Sequence, residues 1–481
     1  MNVLFCTAEC APFFKTGGLG DVAGALPKEL AKKNLHMNVA LPYFSQIPQS
    51  YKEQCEEVTD FYVKVGEQSQ PCSIKRLNLA KVTYYFIDNS AYFGRENLYG
   101  YDDDGERFAF FSQAIIEMLA KIDLSPELIH VNDYHTAMIP FLLKEKYTQP
   151  ELSSIKTLLT IHNIEFQGVF DRKTITEYFG LELAEDAPAA AETNENLNYL
   201  KQGILYADWV NTVSLTYAEE IQTSEFGFGL DQILHEQRAK LSGILNGIDY
   251  ELNDPAADAF LAANFSAADL AGKKIDKETL QKQLNLPVRA EVLLIGIVSR
   301  LTAQKGFALV LEGLEQLLKE DLQLVLLGTG DPKLEASYQE YAQRYPQKFA
   351  AKLTFDLAAA QQIYAGADLF LMPSIAEPCG LSQMIAMRYG TLPVVHEVGG
   401  LKDTVVPFDK AEATGFVFAD FDVESLLASV NAAVTLFKND QSTWVTMVQT
   451  AMNKDFSWEK SSQKYLELYQ DVTETAGEEA V

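Results

Sequence analysis

Lys15-Thr16-Gly17-Gly18-Leu19-Gly20-Asp21 places a cation, three glycines and a carboxylate between a short apolar run, Asn2 to Thr7, and an amphipathic run, Asp21 to Lys33. A strand, a glycine turn and a helix in that order aim backbone N–H groups and the positive end of a helix at the turn, which favours an anion. Lys15 adds a full charge beside them. A second turn of this kind, Ser299 to Gly306, carries Arg300 and Lys305, a planar fork and a point charge that together can grip a diphosphate. A third stretch, Glu377-Pro378-Cys379-Gly380-Leu381-Ser382-Gln383, follows an apolar segment ending at Met372-Pro373-Ser374. Its amides around Gly380 and Leu381 form another helix N-terminus able to hold phosphate, and Glu377 can accept hydrogen bonds from sugar hydroxyls. Cys379 reads as a small structural residue rather than a nucleophile.

Two further segments end apolar runs in polar side chains. His162 heads His162-Asn163-Ile164-Glu165-Phe166-Gln167-Gly168, and Asp133 and His135 lie in His130-Val131-Asn132-Asp133-Tyr134-His135. As ends of neighbouring strands, these side chains could face one cleft. Asp102-Asp103-Asp104, between Gly100 and Gly105, reads as a solvated loop, and no metal is assigned to it.

Net charge is −28, from 39 basic and 67 acidic residues. That balance argues against nucleic acid or an anionic membrane as partner. It also repels an anionic substrate at long range, a repulsion that salt screens over roughly 8 Å, so a phosphate site must gather its own local cations. Each Lys or Arg in a glycine turn is therefore informative. Five cysteines, odd in number and without zinc spacing, predict a reduced, cytoplasmic protein. No apolar run reaches the ~18 residues of a membrane span, and Met1 to Phe5 reads as a first strand, not a signal peptide.

The chain's 481 residues, 47% of them hydrophobic, exceed what one core supports and predict two domains. In the first half, Met37–Pro42, Phe61–Val65, Ser73–Leu77, Lys81–Ile87, Glu127–Val131 and Ile155–Ile161 read as strands, with Trp209–Val213 closing the sheet. Helices are expected at Arg107–Ala120, His135–Lys146 and Glu195–Ala207, with residues 184 to 192 a loop or weak helix. The second half alternates short apolar strands, Val292–Val298, Leu322–Leu327, Lys352–Phe355, Leu369–Met372, Leu392–Val395 and Gly415–Phe418, with helical stretches. This is the pattern of an α/β fold with a parallel sheet covered on both faces. Gly243 to about Pro287 reads as a hinge region. The expected division is an N-terminal Rossmann-like domain over 1–242, a second over 243–456, and a final amphipathic helix within 457–481.

These motifs together resemble the bacterial glycogen synthase family, which includes plant starch synthases. The resemblance runs over nearly the whole chain and rests on the Lys15 to Asp21 turn, Leu98-Tyr99-Gly100, Glu106-Arg107-Phe108, the Asp133/His135 pair, His162 to Gly168, Thr212-Val213-Ser214, Asn246-Gly247-Ile248-Asp249, Arg300 to Gly306, Glu377 to Gln383 and Gly399-Gly400-Leu401. It implies the GT-B architecture, two Rossmann-like domains facing across a cleft with the last helix crossing back to the first. It also implies a retaining glucosyltransferase using ADP-glucose and an α-1,4-glucan such as glycogen, without a cofactor.

Carried over by position, Lys15, Gly17, Gly18 and Asp21 attend the donor nucleotide. Arg300 and Lys305 stabilise departing ADP, helped by the segment Cys379, Gly380 and Leu381. His162, Asn246 and Glu377 surround the transferred glucose, and Asp133 and His135 lie toward the acceptor. Phe355 stands where a tyrosine is common and could stack on adenine. Departures from the family pattern are His396-Glu397-Val398 before Gly399, Glu165-Phe166 in the histidine motif, and Leu252-Asn253-Asp254, which lacks a tryptophan. A UDP-glucose transferase, or a silent glucan-binding protein, are the competing readings. The presence of Lys15, Arg300, Lys305 and Glu377 together speaks against the silent one.

Overall fold

The computed structural model describes residues 1–181 and 196–474. The expected loop at 184–192, and Glu195, lie outside the described residues. The chain separates into two compact units, Met1–Ile244 joined by the segment from Trp458 onward, and Leu245–Ser457.

The first unit contains β1 (Asn2–Cys6), β2 (His36–Pro42), β3 (Glu56–Val65), β4 (Gln68–Leu79), β5 (Val82–Asp88), β6 (Leu128–Asn132), β7 (Lys156–Ile161), β8 (Val169–Asp171), β9 (Asn196–Asn198), β10 (Trp209–Thr212) and β11 (Leu241–Gly243). Nine strands form one sheet in the order β11-β10-β7-β6-β1-β2-β5-β4-β3, while β8 and β9 make a small ribbon. The sheet is parallel from β11 to β5, and the β3–β4 hairpin adds an antiparallel edge. Val3, Leu4, Phe5 and Cys6 of β1 are all fully buried. A central strand covered by helices on both faces carries a continuous apolar run without polar alternation. The covering helices include α1 (Gly18–Lys32), α2 (Asp104–Lys121), α3 (Met138–Glu145) and α4 (Tyr199–Tyr206). Trp209–Val213 does not close the sheet, because β11 pairs beyond it. The helix expected from Glu195 begins at Tyr199, after β9.

The C-terminal helix Trp458–Glu474 packs in this unit against α1 and β7. Tyr465, Leu468, Tyr469 and Val472 are buried at helical spacing, one stripe toward the core. Two tyrosine hydroxyls fasten it. Tyr469 Oη lies 2.7 Å from His130 Nδ1, whose Nε2 meets Thr160 Oγ1 at 2.7 Å, and Asn211 Nδ2 donates to Tyr465 Oη at 3.2 Å. Burial holds the His130 imidazole neutral. Tyr469→Phe leaves a fully buried ring nitrogen without its partner and is expected to cost about 1–3 kcal/mol. Urea unfolding measures it, and an unchanged midpoint would show that the hydroxyl does not anchor the helix.

The second unit has six parallel strands, β12 (Leu293–Val298), β13 (Leu322–Leu327), β14 (Phe349–Lys352), β15 (Leu369–Met372), β16 (Leu392–His396) and β17 (Phe416–Phe418), in the order β14-β13-β12-β15-β16-β17. Helices α5 (Ala271–Gln283), α6 (Phe307–Leu317), α7 (Leu357–Gly366) and α8 (Ser382–Arg388) lie between or before them. The strand expected at Lys352–Phe355 ends instead at Lys352, because Phe349 to Lys352 pair with Leu324 to Leu327 and Asp356 then caps α7 by accepting the Ala359 N–H. The expected hinge from Gly243 is largely part of this unit: α5 lies within it, held by Lys277, which pairs with Asp368 at 2.6 Å.

In both sheets the strand order reverses at one point. The chain runs outward from β1 through β2 and returns at β6, and runs outward from β12 through β13 and returns at β15. Open parallel sheets bind ligands at the carboxyl ends of strands beside such a switch point. No described helix is long and apolar enough to cross a membrane.

Candidate active site

At the switch point of the first unit, the segment after β1 meets those after β6 and β7. Glu9, only 4% exposed, occupies the turn that the sequence predicts to be an anion site. Its carboxylate accepts N–H bonds from Thr16 (2.6 Å) and Gly17 (3.2 Å), and O–H bonds from Thr16 (2.6 Å) and Tyr99 (2.9 Å). The chain thus supplies its own anion to the Thr16 and Gly17 amides of this turn. α1 then starts at Gly18 without a side-chain cap, leaving its own first amides at the turn. Nothing lies within 4 Å of where a side chain on Gly17 or Gly18 would stand. Lys15 pairs with Asp21 at 2.6 Å on the exposed side.

Asp133 and His162 end adjacent strands and are bonded to one another. Asp133, at φ +52°, accepts the His162 backbone N–H at 2.7 Å. Burial pushes its carboxyl up to about 7, against the amides of His162 and Asn163, which favour the charged form. Asn132 Nδ2 donates to the Cys6 carbonyl at 3.0 Å, so its Oδ1 is the acceptor facing His162 Nε2 at 2.9 Å. His162 thus carries its proton on Nε2 and keeps an Nδ1 lone pair, and burial pushes its pKa down to about 3. His135 is neutral for the same reason, lowered to about 3 by burial with Arg107 adding to the effect. Its ring packs on Tyr134, Tyr99 and Phe108, with centroids 3.8, 4.6 and 4.7 Å away. Both of its ring nitrogens lack a partner among the described residues.

The aspartate run is not a solvated loop throughout. Asp103 receives a two-pronged bond from Arg95, and Asp104 begins α2 as the buried partner of Arg107. Arg107 is fully buried and also donates to the carbonyls of Tyr92 (2.9 Å) and Leu98 (3.1 Å), which fixes the loop carrying Tyr99.

In the second unit, Lys305 follows β12 and Glu377 follows β15, one on each side of the switch point. Lys305 Nζ donates to Glu377 Oε1 at 2.9 Å and Oε2 at 2.6 Å, and Ser374 Oγ donates to Oε2 at 2.8 Å. Glu377 is 6% exposed. The two loops are joined by the Ile375 N–H, which donates to the Gln304 carbonyl at 2.9 Å. Gly306 sits at φ +71° with its missing Cβ 1.9 Å from the Pro373 carbonyl, an approach that only glycine permits. Arg300 is exposed, with no carboxylate partner among the described residues.

Asn246 is buried, with its Oδ1 unpartnered among the described residues. Burial pushes the Cys379 thiol up to about 12, which removes it as a nucleophile. Gly380 takes φ +73°, and α8 begins after Leu381. Phe355 stands 87% exposed in the loop after β14. Glu397, the anionic departure, pairs with Lys402 at 3.3 Å.

Glu9, Tyr99, Asn132 and Ser374 were not singled out by sequence reasoning. Glu9, Tyr99 and Asn132 act through hydrogen bonds to residues distant in the chain, and Ser374 through one to Glu377, three residues on; only a polar residue beside an apolar run marks each position. What the second unit offers is a lysine bonded to a buried carboxylate, with an exposed arginine earlier in the same turn.

Residues 2–236 match the starch synthase catalytic domain family, and residues 276–443 match the family glycosyl transferases group 1. The chain is 54% identical to the glycogen synthase of Ligilactobacillus salivarius, over 98% of this chain and 100% of the relative. It is 54% identical to that of Lactococcus lactis subsp. lactis with the same coverage. Among solved structures it is similar to the catalytic domain of starch synthase IV from Arabidopsis thaliana, a protein bound to ADP and acarbose. There the TM-score is 0.90 and identity 33%, over 98% of this chain and 99% of that one. Sucrose-phosphate synthase from Thermosynechococcus elongatus, at 17% identity and TM-score 0.63, shares the fold. With this identity sustained along almost its full length, the chain belongs to the glycogen synthase family of glycosyltransferases.

Proposed function

We propose that the protein transfers glucose from ADP-glucose, with retention, to the 4-hydroxyl at the non-reducing end of an α-1,4-glucan. The observation that carries this reading is the Lys305–Glu377 pair beside exposed Arg300 at the switch point of the second sheet. As the anomeric C–O bond breaks, negative charge grows on the phosphate and positive charge on the sugar. Fixed cations at the first and acceptors at the second lower the barrier. Arg300 and Lys305 serve the phosphate, with Gly380 and Leu381 assisting. Glu377, Asn246 and the neutral His162 serve the sugar. Asp133 and His135 serve the acceptor, Lys15, Gly17, Gly18 and Asp21 the nucleotide, and Phe355 offers a face for adenine.

The Cys379 thiol is buried and protonated, and the Glu377 carboxylate is engaged by Lys305 and Ser374, so no side chain of this set is an obvious covalent nucleophile. That supports attack on the face from which phosphate departs, the leaving phosphate taking the acceptor's proton. Five cysteines, none in a disulfide, suit a reducing cytoplasm. The test is an assay of ADP or UDP release from ADP-glucose and UDP-glucose, each with and without glycogen. Glycogen-dependent ADP release is expected to dominate. Preferential UDP release would favour the UDP-glucose reading, and no release from either donor would leave a glucan-binding protein.

A further inference from the structure

His396 ends β16 with its imidazole buried, 7% of it exposed. Nδ1 lies 2.9 Å from the Ser374 carbonyl and Nε2 lies 3.2 Å from the Ala419 carbonyl. A backbone carbonyl only accepts, and a neutral imidazole has one N–H, so only the imidazolium donates to both. The rings of Phe418 and Phe421 stand with centroids 5.3 Å from that of His396, and aromatic faces attract a cation. The first carbonyl belongs to the residue whose hydroxyl holds Glu377 Oε2, the same oxygen that receives Lys305.

We propose that His396 is a positioning residue for Glu377, acting as an imidazolium that ties the Ser374 and Ala419 carbonyls together and so fixes the hydroxyl that orients the carboxylate. It rests on the reading of Glu377 and Lys305 as donor-site groups. Charged groups on the segments around the ring are Glu377 with Lys305 on the β15 side, Asp420 and Asp422 beyond Ala419 on the β17 side, and Glu397 with Lys402 on its own side. Asp420 and Asp422 are exposed, and Asp422 caps the helix after β17 by accepting the Ser425 N–H at 2.7 Å. Loss of the proton removes one of the two ties, frees the β15 loop from β17, and loosens Ser374. Lysine or arginine at this position would hold its charge through the physiological range, whereas an imidazole does not.

Nitrogen-15 NMR of the histidine-labelled full-length protein reads the ring directly. At pH 7 both His396 nitrogens are expected to carry protons, whereas an unprotonated ring nitrogen there would overturn the proposal. Turnover against pH supplies the functional arm. His396→Gln, which keeps one donor and no charge, is expected to lose roughly tenfold in kcat with a much smaller change in the donor KM. The wild type is expected to lose kcat on the alkaline side, and His396→Arg to keep it. Comparing variants at each pH cancels the titration of Asp133. Parallel profiles for wild type and His396→Gln would also overturn the proposal. Unchanged kcat in Glu377→Gln would instead overturn the donor-site reading and leave the NMR result standing.

Discussion

Lys305→Ala is expected to lower kcat by roughly 10²- to 10³-fold, the range seen when one preorganised charge is taken from a developing oxyanion. It should lower the melting temperature as well. Glu377 is 6% exposed, and without Lys305 its carboxylate keeps only the Ser374 hydroxyl. A buried charge stripped of its partner costs about 3–5 kcal/mol. The double variant Lys305→Ala/Glu377→Gln removes that stranded charge, so it is expected to regain most of the melting temperature while turnover stays low. Recovery of both together would make the pair structural only. Arg300→Ala is the companion case. Its exposed side chain bears no load inside the fold, so turnover falls, more severely than for Lys305, at an unchanged melting temperature.

The second large effect is on acid stability between pH 7 and about 4.5. His135 and His162 are lowered to about 3 in the fold, and His130 well below its ordinary value, all by burial. Unfolded imidazoles take up protons near 6.5, so the unfolded chain binds more protons as pH falls and stability drops. At pH 4.5 His135 and His162 each withdraw about 3 kcal/mol, and His130 acts in the same sense. Asp133 acts in the opposite sense. With its folded value raised to about 7, the native state binds a proton that the unfolded chain does not, and stability rises by a similar amount as pH falls through that window. One carboxyl offsets about one histidine, and the net slope is destabilising. Surface carboxylates held low by ion pairs, such as Asp103 beside Arg95, act only at lower pH. Urea unfolding at pH 7 and 4.5 measures the difference, and Asp133→Asn should steepen it. Equal slopes for Asp133→Asn and the wild type would show that this carboxyl is already ionised in the fold at pH 7.

Short apolar segments separated by glycine turns made both parallel sheets legible, because strands buried on both faces must be continuously apolar. Less visible was what stands opposite what. Leu241-Ser242-Gly243 is too short and mixed to read as a strand, yet it pairs beyond β10 and extends the sheet. Lys352 to Phe355 carries more β-forming residues than Phe349 to Lys352. Register with β13 and the Asp356 cap decide the boundary, and neither is a local property.

The same holds at the site. Cations in glycine turns mark Lys15, Arg300 and Lys305, but nothing local says that Glu9 fills the first turn or that Lys305 and Glu377, 72 residues apart, are bonded. Asp102-Asp103-Asp104 misleads for a related reason. A charge run looks solvated until a buried arginine, Arg107, takes one member inside.

If the basic groups after β12 hold the diphosphate of the donor, a crystal structure of the protein with ADP reads it out. The expected result is pyrophosphate oxygens within hydrogen-bond distance of both the Arg300 guanidinium and the Lys305 ammonium. Pyrophosphate bound with neither of those side chains in reach would contradict it.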